Sequence, residues 1–208
     1  MTNVKRQYDA SARRARAEEV RATLVNTARE MLLRDGYAAT TIPNLARTCE
    51  VSVESVYKRF AGKSGLVRAV VSQALRGIGP VAAETRSDAL AAGDLQSLVR
   101  GWGQLASEVA PRVAPILLIV QAAAAHDREI AVLQQELDDA RRVRMTTNAS
   151  RVADAGHLPA GLSIERAGDI LWTYSSPEVY DLLVLRSGWN LAQYAAFIAD
   201  GVSAQLRA

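Results

Sequence analysis

Residues 41–60, "TIPNLARTCEVSVESVYKRF", hold two short stretches at helical spacing, divided by a tight turn at Glu50-Val51. Thr40 or Thr41 can cap the first helix, and Pro43 falls in its first turn, where a missing N–H costs little. Leu45 and Ala46 point inward. Ser52 caps the second helix, which carries Val53, Val56 and Tyr57. This is helix-turn-helix geometry. Leu45, Val51, Val56 and Phe60 can wedge the two helices against neighbours on either side. The outward residues of the second helix, Val53, Glu54, Ser55, Tyr57, Lys58 and Arg59, are then free to face a major groove. The cations can reach phosphates, and the Tyr57 hydroxyl can donate to one. Lys63 opens the next helix, where its charge and the free backbone N–H groups both favour a phosphate.

The flanks agree. Val20, Leu24, Ala28, Met31 and Leu32 recur at helical spacing from about Glu18 to Asp35, and Gly36 stops that helix. Leu66, Val67, Val70 and Val71 line one side of a helix opened by Gly62 and Lys63. Residues 1–15 are polar, carry Lys5, Arg6, Arg13 and Arg14, and read as a basic, mobile arm. Residues 1–68 hold 13 Lys/Arg against 7 Asp/Glu, while residues 69–208 hold 12 against 15. A basic front third on a mildly acidic body fits a polyanion-binding module joined to something else, and chance variation in solvated faces gives the same balance.

"TTIPNLARTCEVSVESVYKRFAGKSGL" resembles the DNA-binding signature of the TetR (tetracycline-repressor) family, with Thr41, Leu45, Ala46, Cys49, Val51, Ser52, Tyr57, Phe60, Lys63 and Leu66 matching. The preceding "RDGYAATT" fits as well, and the signature covers roughly residues 18–70. The resemblance implies a bacterial, cytoplasmic, homodimeric DNA-binding regulator, and it adds Thr41 and Ser52 to the DNA-facing set. Two departures stand out. Glu50 takes a position where the family has Gly, which strains the turn if left-handed geometry is kept. Glu54 takes a position where the family has a small residue. A carboxylate near phosphates is repulsive unless it accepts from a cytosine amino group, so Glu54 either reads a C·G pair or turns toward a neighbouring Arg.

Beyond Gly77 the pattern loosens through "GIGPVAAETRSDALAAGD", read as the end of a connecting helix plus a linker. Asp94 caps a helix to about Val109, and Pro111 and Pro115 fall near the start of the next, "ILLIVQAAAA". With no charge on any face, that helix is expected to be buried all round. A charged helix runs from Asp127 to Ala155, Ser163 caps another through Tyr174, and "SSPE" at 175–178 stops and restarts the chain with Ser176 as cap. The last helix begins near Asn190. No alternating run argues for a sheet. The longest uncharged apolar run, Val113–Ala125, is too short to span a bilayer, and no apolar run follows the first basic residues to suggest a secretory signal. The single cysteine, Cys49, makes no internal disulfide, which fits a reducing compartment, and packing is its stronger reading.

His126 and His157 are too far apart for a metal motif, and Glu136, Asp138 and Asp139 read as a solvated helix face. No nucleophile-base signature, phosphate loop or dinucleotide fingerprint appears, so no cofactor, metal or catalytic site is expected. An apolar effector would be walled by Trp102, Ile116, Leu117, Val120 and Trp172, with one polar contact at Gln121; core packing is the competing reading for both tryptophans. A dimer interface is expected at Val179, Leu182, Leu183, Leu191, Tyr194, Ile198 and Val202, centred on Leu183 and Ile198. The chain thus reads as all-α: an arm at 1–15, a three-helix helix-turn-helix domain at 16–62, a connecting helix at 63–77, and a ligand-binding and dimerisation domain at 78–208. With the TetR resemblance, this implies a repressor on a palindromic double-stranded operator, released by a small, largely apolar molecule and not associated with a membrane. Control by a protein partner, or an uncharacterised helical enzyme, are the alternatives.

Overall fold

The structure, a computed structural model, describes residues 3–90 and 93–207. Side chains are described for 11–90 and 93–206. All regular elements among the described residues are helical. The chain forms two compact units, Met1–Val70 and Val71–Ala208, and the division falls within one helix.

The first unit contains α1 (Asn3–Ala39), α2 (Ile42–Thr48), α3 (Val53–Phe60) and the start of α4 (Lys63–Leu75). Leu24, Val25, Ala28 and Leu32 of α1 are buried, as are Leu45 of α2, Val56 of α3, and Leu66 and Val67 of α4. Gly36 leaves helical geometry at φ 78°, where the sequence puts the stop, although helical hydrogen bonding resumes to Ala39. The helix starts earlier than the periodicity suggests. Residues 3–15, read above as an arm, are part of α1, because no proline or glycine interrupts an Ala/Arg-rich run of good helix formers. Arg13 and Arg14 are exposed on it; Met1 and Thr2, and the side chains of Lys5 and Arg6, lie outside the described residues.

In the second unit α5 (Ala83–Leu90) and α6 (Leu95–Ala124) come first. They are followed by α7 (Arg128–Asp154), α8 (Ile164–Tyr174) and α9 (Pro177–Tyr180). A π-helical turn, Asp181–Arg186, continues α9, and α10 (Leu191–Arg207) ends the described chain. The central α6 packs on α5, α7, α9 and α10, and α8 packs on α7 and α10. Gly103 lets α6 and α10 meet: a Cβ there would lie 2.4 Å from the Ala195 carbonyl oxygen. Tyr194 is buried edge-on to Tyr180, ring centroids 5.5 Å apart, and burial with Tyr180 nearby pushes its hydroxyl pKa up to about 12. The caps Asp94, Ser163 and Ser176 each accept a backbone N–H, as their sequence positions suggest, and Asp127 caps α7 by accepting from the Glu129 and Ile130 N–H groups.

Three expectations change. The stretch read as a linker holds α5. Only Ala83 and Ser87 of it are buried, so its apolar signal is faint. It is held instead by charge. Arg86 binds Glu108 of α6 through both terminal nitrogens, and Arg144 and Arg151 of α7 both bind Asp88. Second, α6 runs unbroken through Pro111 and Pro115. Each proline withholds a donor from the carbonyl four residues back and costs about 3 kcal/mol, which burial against four elements offsets. The helix is therefore long and apolar enough to cross a membrane by length and composition, but it carries the core contacts of this unit. Third, it is not buried all round: Ile116 and Val120 are buried, Leu117, Leu118 and Ile119 partly so, and Gln121 is exposed.

The ion pairs make a pH prediction. Hydrogen bonds from Arg86 and Arg144 hold the Glu108 and Asp88 carboxyls below their ordinary range. Folded pKa values lowered this way give stability that is complete above the unfolded carboxylate range and lost as pH falls through the folded values. The melting temperature should decline below about pH 4, and the Glu108→Gln variant should show a shallower decline in the same calorimetric series. Identical profiles for both proteins would remove Glu108 from the acid transition.

Candidate nucleic-acid interface

Local hydrogen bonds set the two helices of the motif. Thr41 Oγ1 accepts from the Asn44 N–H at 3.3 Å, and Ser52 Oγ from the Ser55 N–H at 3.1 Å. Between them the chain reverses through Cys49 N–H to the Leu45 carbonyl (2.9 Å) and Val51 N–H to the Ala46 carbonyl (3.0 Å). Glu50 sits in this turn at φ 54°. Left-handed geometry is kept although the residue is not glycine, so the departure from the family pattern carries strain of about 1–2 kcal/mol. Cys49 is half-buried and makes the C-cap of α2.

The next junction is as tight. Ala61 adopts φ 56° and ends α3, its N–H donating to the Tyr57 carbonyl at 2.8 Å. Gly65 lies against the Phe60 carbonyl, whose oxygen would be 1.8 Å from any Cβ there. These contacts fix where α4 begins relative to α3.

α3 divides its residues by face. Val56 and Phe60 are buried, and Val53, Glu54, Tyr57, Lys58 and Arg59 are exposed, with Tyr57 at 51%. Ser55 is half-buried, and its hydroxyl and carbonyl both accept from the Arg59 guanidinium one turn on. That contact lays Arg59 along the helix. Glu54 is exposed in the first turn, where the helix dipole favours a carboxylate, and it stands apart from the ion pairs of the described residues. The reading in which Glu54 turns toward an arginine does not describe this arrangement. Thr41 and Ser52 act through their side-chain oxygens as caps. Lys63 is half-buried: its ammonium donates to the Tyr37 carbonyl and lies 3.6 Å from the centroid of the Tyr37 ring. Tyr37 escaped the sequence reading because an aromatic beside a helix-stopping glycine looks like packing. Asn44 and Arg47, exposed on α2 and joined at 3.3 Å, add a polar pair that the α3-centred reading left out.

The second unit gathers only half of the expected effector wall. Leu117, Val120 and Gln121 line a cleft with Gln134, Leu137, Asp138, Pro177 and Glu178. Its volume is about 20 Å³, room for roughly one water. Ile116 is 0% exposed in the core, Trp102 donates its indole N–H to Ser87 at 3.1 Å, and Trp172 lies under Arg141, 4.7 Å from its ring centroid. Those three line other parts of the unit. The expected interface also divides. Tyr194, Ile198 and Val202 are buried in the chain's own core, with Val179 and Leu183 packed against it, so Ile198 is no interface centre. Leu182 and Leu191 are exposed. The expected stripe on α10 is real, but it faces α6, whose Gly103 admits the close approach. His157 meets the Gly93 carbonyl at 3.2 Å, a loop contact, and no group of metal-ligating side chains occurs among the described residues.

Residues 24–70 match the profile of the bacterial regulatory proteins of the tetR family. The N-terminal unit belongs to that family. An uncharacterised HTH-type transcriptional regulator of Bacillus subtilis, YvkB, is 32% identical over 65 residues, 31% of this chain and 34% of that protein. The chain thus matches about a third of that relative's length. Solved structures are similar along most of the chain. A putative TetR-family regulator from Syntrophomonas wolfei has a TM-score of 0.72 at 13% identity, covering 92% of this chain and 96% of its own. NalD of Pseudomonas aeruginosa, the secondary repressor of the MexAB-OprM multidrug efflux pump, has 0.68 at 20%, covering 91% and 98%. SmeT in complex with triclosan has 0.69 at 19%, covering 90% and 91%. At such identities these likenesses concern the fold alone.

Two substitutions test the turn and the junction. Glu50→Gly should stabilise the protein by about 1 kcal/mol, since the side chain is exposed and only strain is removed. Gly65→Ala should destabilise it by about 1–3 kcal/mol through the clash with the Phe60 carbonyl. Urea titrations measure both, and a destabilised Glu50→Gly protein would mean that the Glu50 side chain makes a favourable contact.

Proposed function

We propose that this chain is a cytoplasmic transcriptional repressor in which α3 enters the major groove of a palindromic operator. The observation that carries the reading is the division of α3, with Val56 and Phe60 anchored inward and Val53, Glu54, Tyr57, Lys58 and Arg59 outward. Val53, Glu54 and Ser55 lie at the helix N-terminus, the end from which a recognition helix reads base edges. Lys58, Arg59 and Lys63 supply phosphate contacts, and Tyr57 a hydroxyl. Thr41 and Ser52 hold the two helices to the register that contact requires.

A homodimer presents two such helices about 34–36 Å apart, one DNA turn. The second copy covers exposed apolar residues from among Leu182, Leu185, Leu191 and Phe197. The effector is a small, largely apolar molecule bound at the cleft of Leu117, Val120 and Gln121. It enters by opening that cleft and favours a conformation with another spacing, which shifts the population off the operator. The repressor activity named for NalD and the triclosan complex of SmeT support this reading.

Selection from a random DNA pool tests it. The wild-type protein should enrich a palindrome, and Glu54→Ala should lose one C·G preference per half-site while keeping non-specific affinity. Failure to enrich any sequence over the starting pool would sink the repressor reading. Uniformly tighter binding by Glu54→Ala, with unchanged preference, would mean that Glu54 only repels phosphate.

A further inference from the structure

Lys63 occupies an unusual electrostatic position. It is the first residue of α4, beside the positive end of that helix's dipole, where a cation lowers helix stability. The opposite end of another helix compensates. The Tyr37 carbonyl, just past the break at Gly36 in α1, accepts from the Lys63 ammonium and from the Thr40 N–H at 3.2 Å. The Tyr37 ring lies under the same ammonium, 3.6 Å from centroid to nitrogen, within cation–π range. Tyr37 and Lys63 are both half-buried. Thr40 in turn anchors the strip through its hydroxyl to the Gly36 carbonyl at 2.8 Å, one residue before the Thr41 cap.

We propose that Tyr37 is a positioning residue for DNA binding, holding the Lys63 ammonium beside the N-terminus of α4 so that a backbone phosphate meets the cation and the helix end together. The inference rests on reading α2 and α3 as the DNA-binding motif. A free lysine side chain loses rotamer freedom when it docks on a phosphate; one held by a ring and a carbonyl has already lost it. A phosphate also removes the unfavourable pairing of cation and positive helix end, so the anion completes the arrangement. The ring supplies the orientation, and the tyrosine hydroxyl has no part in it.

The test is a double-mutant cycle on the full chain. Binding to a labelled mixed-sequence DNA duplex is measured across a salt series. Lys63→Met should lower the log–log salt slope by about 0.9 per protomer, one phosphate contact. Tyr37→Leu should weaken binding roughly three- to ten-fold, the scale of the side-chain entropy at stake. Tyr37→Phe, which keeps ring and carbonyl, should rescue affinity to within about twofold. In the Lys63→Met background, Tyr37→Leu should cost nothing further. An equal loss in both backgrounds would make Tyr37 a packing residue and overturn the proposal, as would an unchanged salt slope in Lys63→Met. Wild-type protein that binds no duplex at low salt would instead overturn the DNA-binding reading. Circular dichroism melts confirm that each compared variant is folded at the assay temperature, and Tyr37→Met replaces Tyr37→Leu if the latter is not.

Discussion

Phe60, through its ring and its backbone carbonyl, is the residue on which the recognition unit depends. Its ring is 5% exposed at the end of α3, the Arg21 guanidinium of α1 lies 5.6 Å over it, and its carbonyl is the surface against which Gly65 of α4 packs. One residue therefore ties three helices. An eight-residue helix has little stability of its own, so α3 keeps its orientation only through such burial. With Val56 and Phe60 inward, the helical period turns Glu54 and Lys58 outward and Tyr57 and Arg59 to the flanks, while Val53, one turn before Val56, is exposed at the start of the helix. The exposed face is thus a consequence of the buried one. The backbone strain at Glu50 and Ala61 marks the two ends of this arrangement, where the chain must turn sharply enough to keep α3 against its neighbours.

What could be read from the sequence follows from how far each interaction reaches along the chain. The caps Thr41, Ser52, Asp94, Ser163 and Ser176 were legible because a cap bonds to a backbone N–H three residues on. The same holds for the left-handed turn at Glu50 and for the two faces of α3. α5 was not legible, because what holds it lies elsewhere: Arg86 meets Glu108 across 22 residues and Asp88 meets Arg144 across 56. Its faint apolar pattern could not announce a helix held by charge. The continuation of α6 through two prolines was likewise decided by packing partners that no local pattern reveals.

The apolar stripe of α10 teaches a related lesson. Tyr194, Ile198 and Val202 recur at helical spacing, which establishes burial but not the surface that covers them. Periodicity treats a partner subunit and the chain's own core alike. Gly103 on the facing helix was the discriminating signal: a glycine inside a long apolar helix indicates a backbone that comes close, here that of α10 at Ala195. The indoles divide for the same reason. Trp102 and Trp172 are the amphipathic residues a pocket would use, yet each is engaged within its unit, one by Ser87 and the other by Arg141.

Glu108 connects the core of the second unit to the segment that follows α4. Its carboxylate binds Arg86 of α5 and accepts the Ile78 N–H of the connecting loop, while its own backbone belongs to α6. The same helix carries Leu117, Val120 and Gln121, roughly two and a half to three and a half turns further on, at the cleft. Helix α6 packs on four elements, so a displacement at one end is not absorbed by bending at random; interiors at crystal-like density transmit it. Opening the cleft enough to admit more than one water moves the C-terminal half of α6, α7 or α9. If α6 is the element that moves, Glu108 must either carry Ile78 and α5 with it or break a charge-assisted contact that is largely shielded from water. Pro111 and Pro115 lie between the cleft and Glu108, and each leaves a missing rung in the hydrogen-bond ladder at which the two halves of α6 can bend relative to one another.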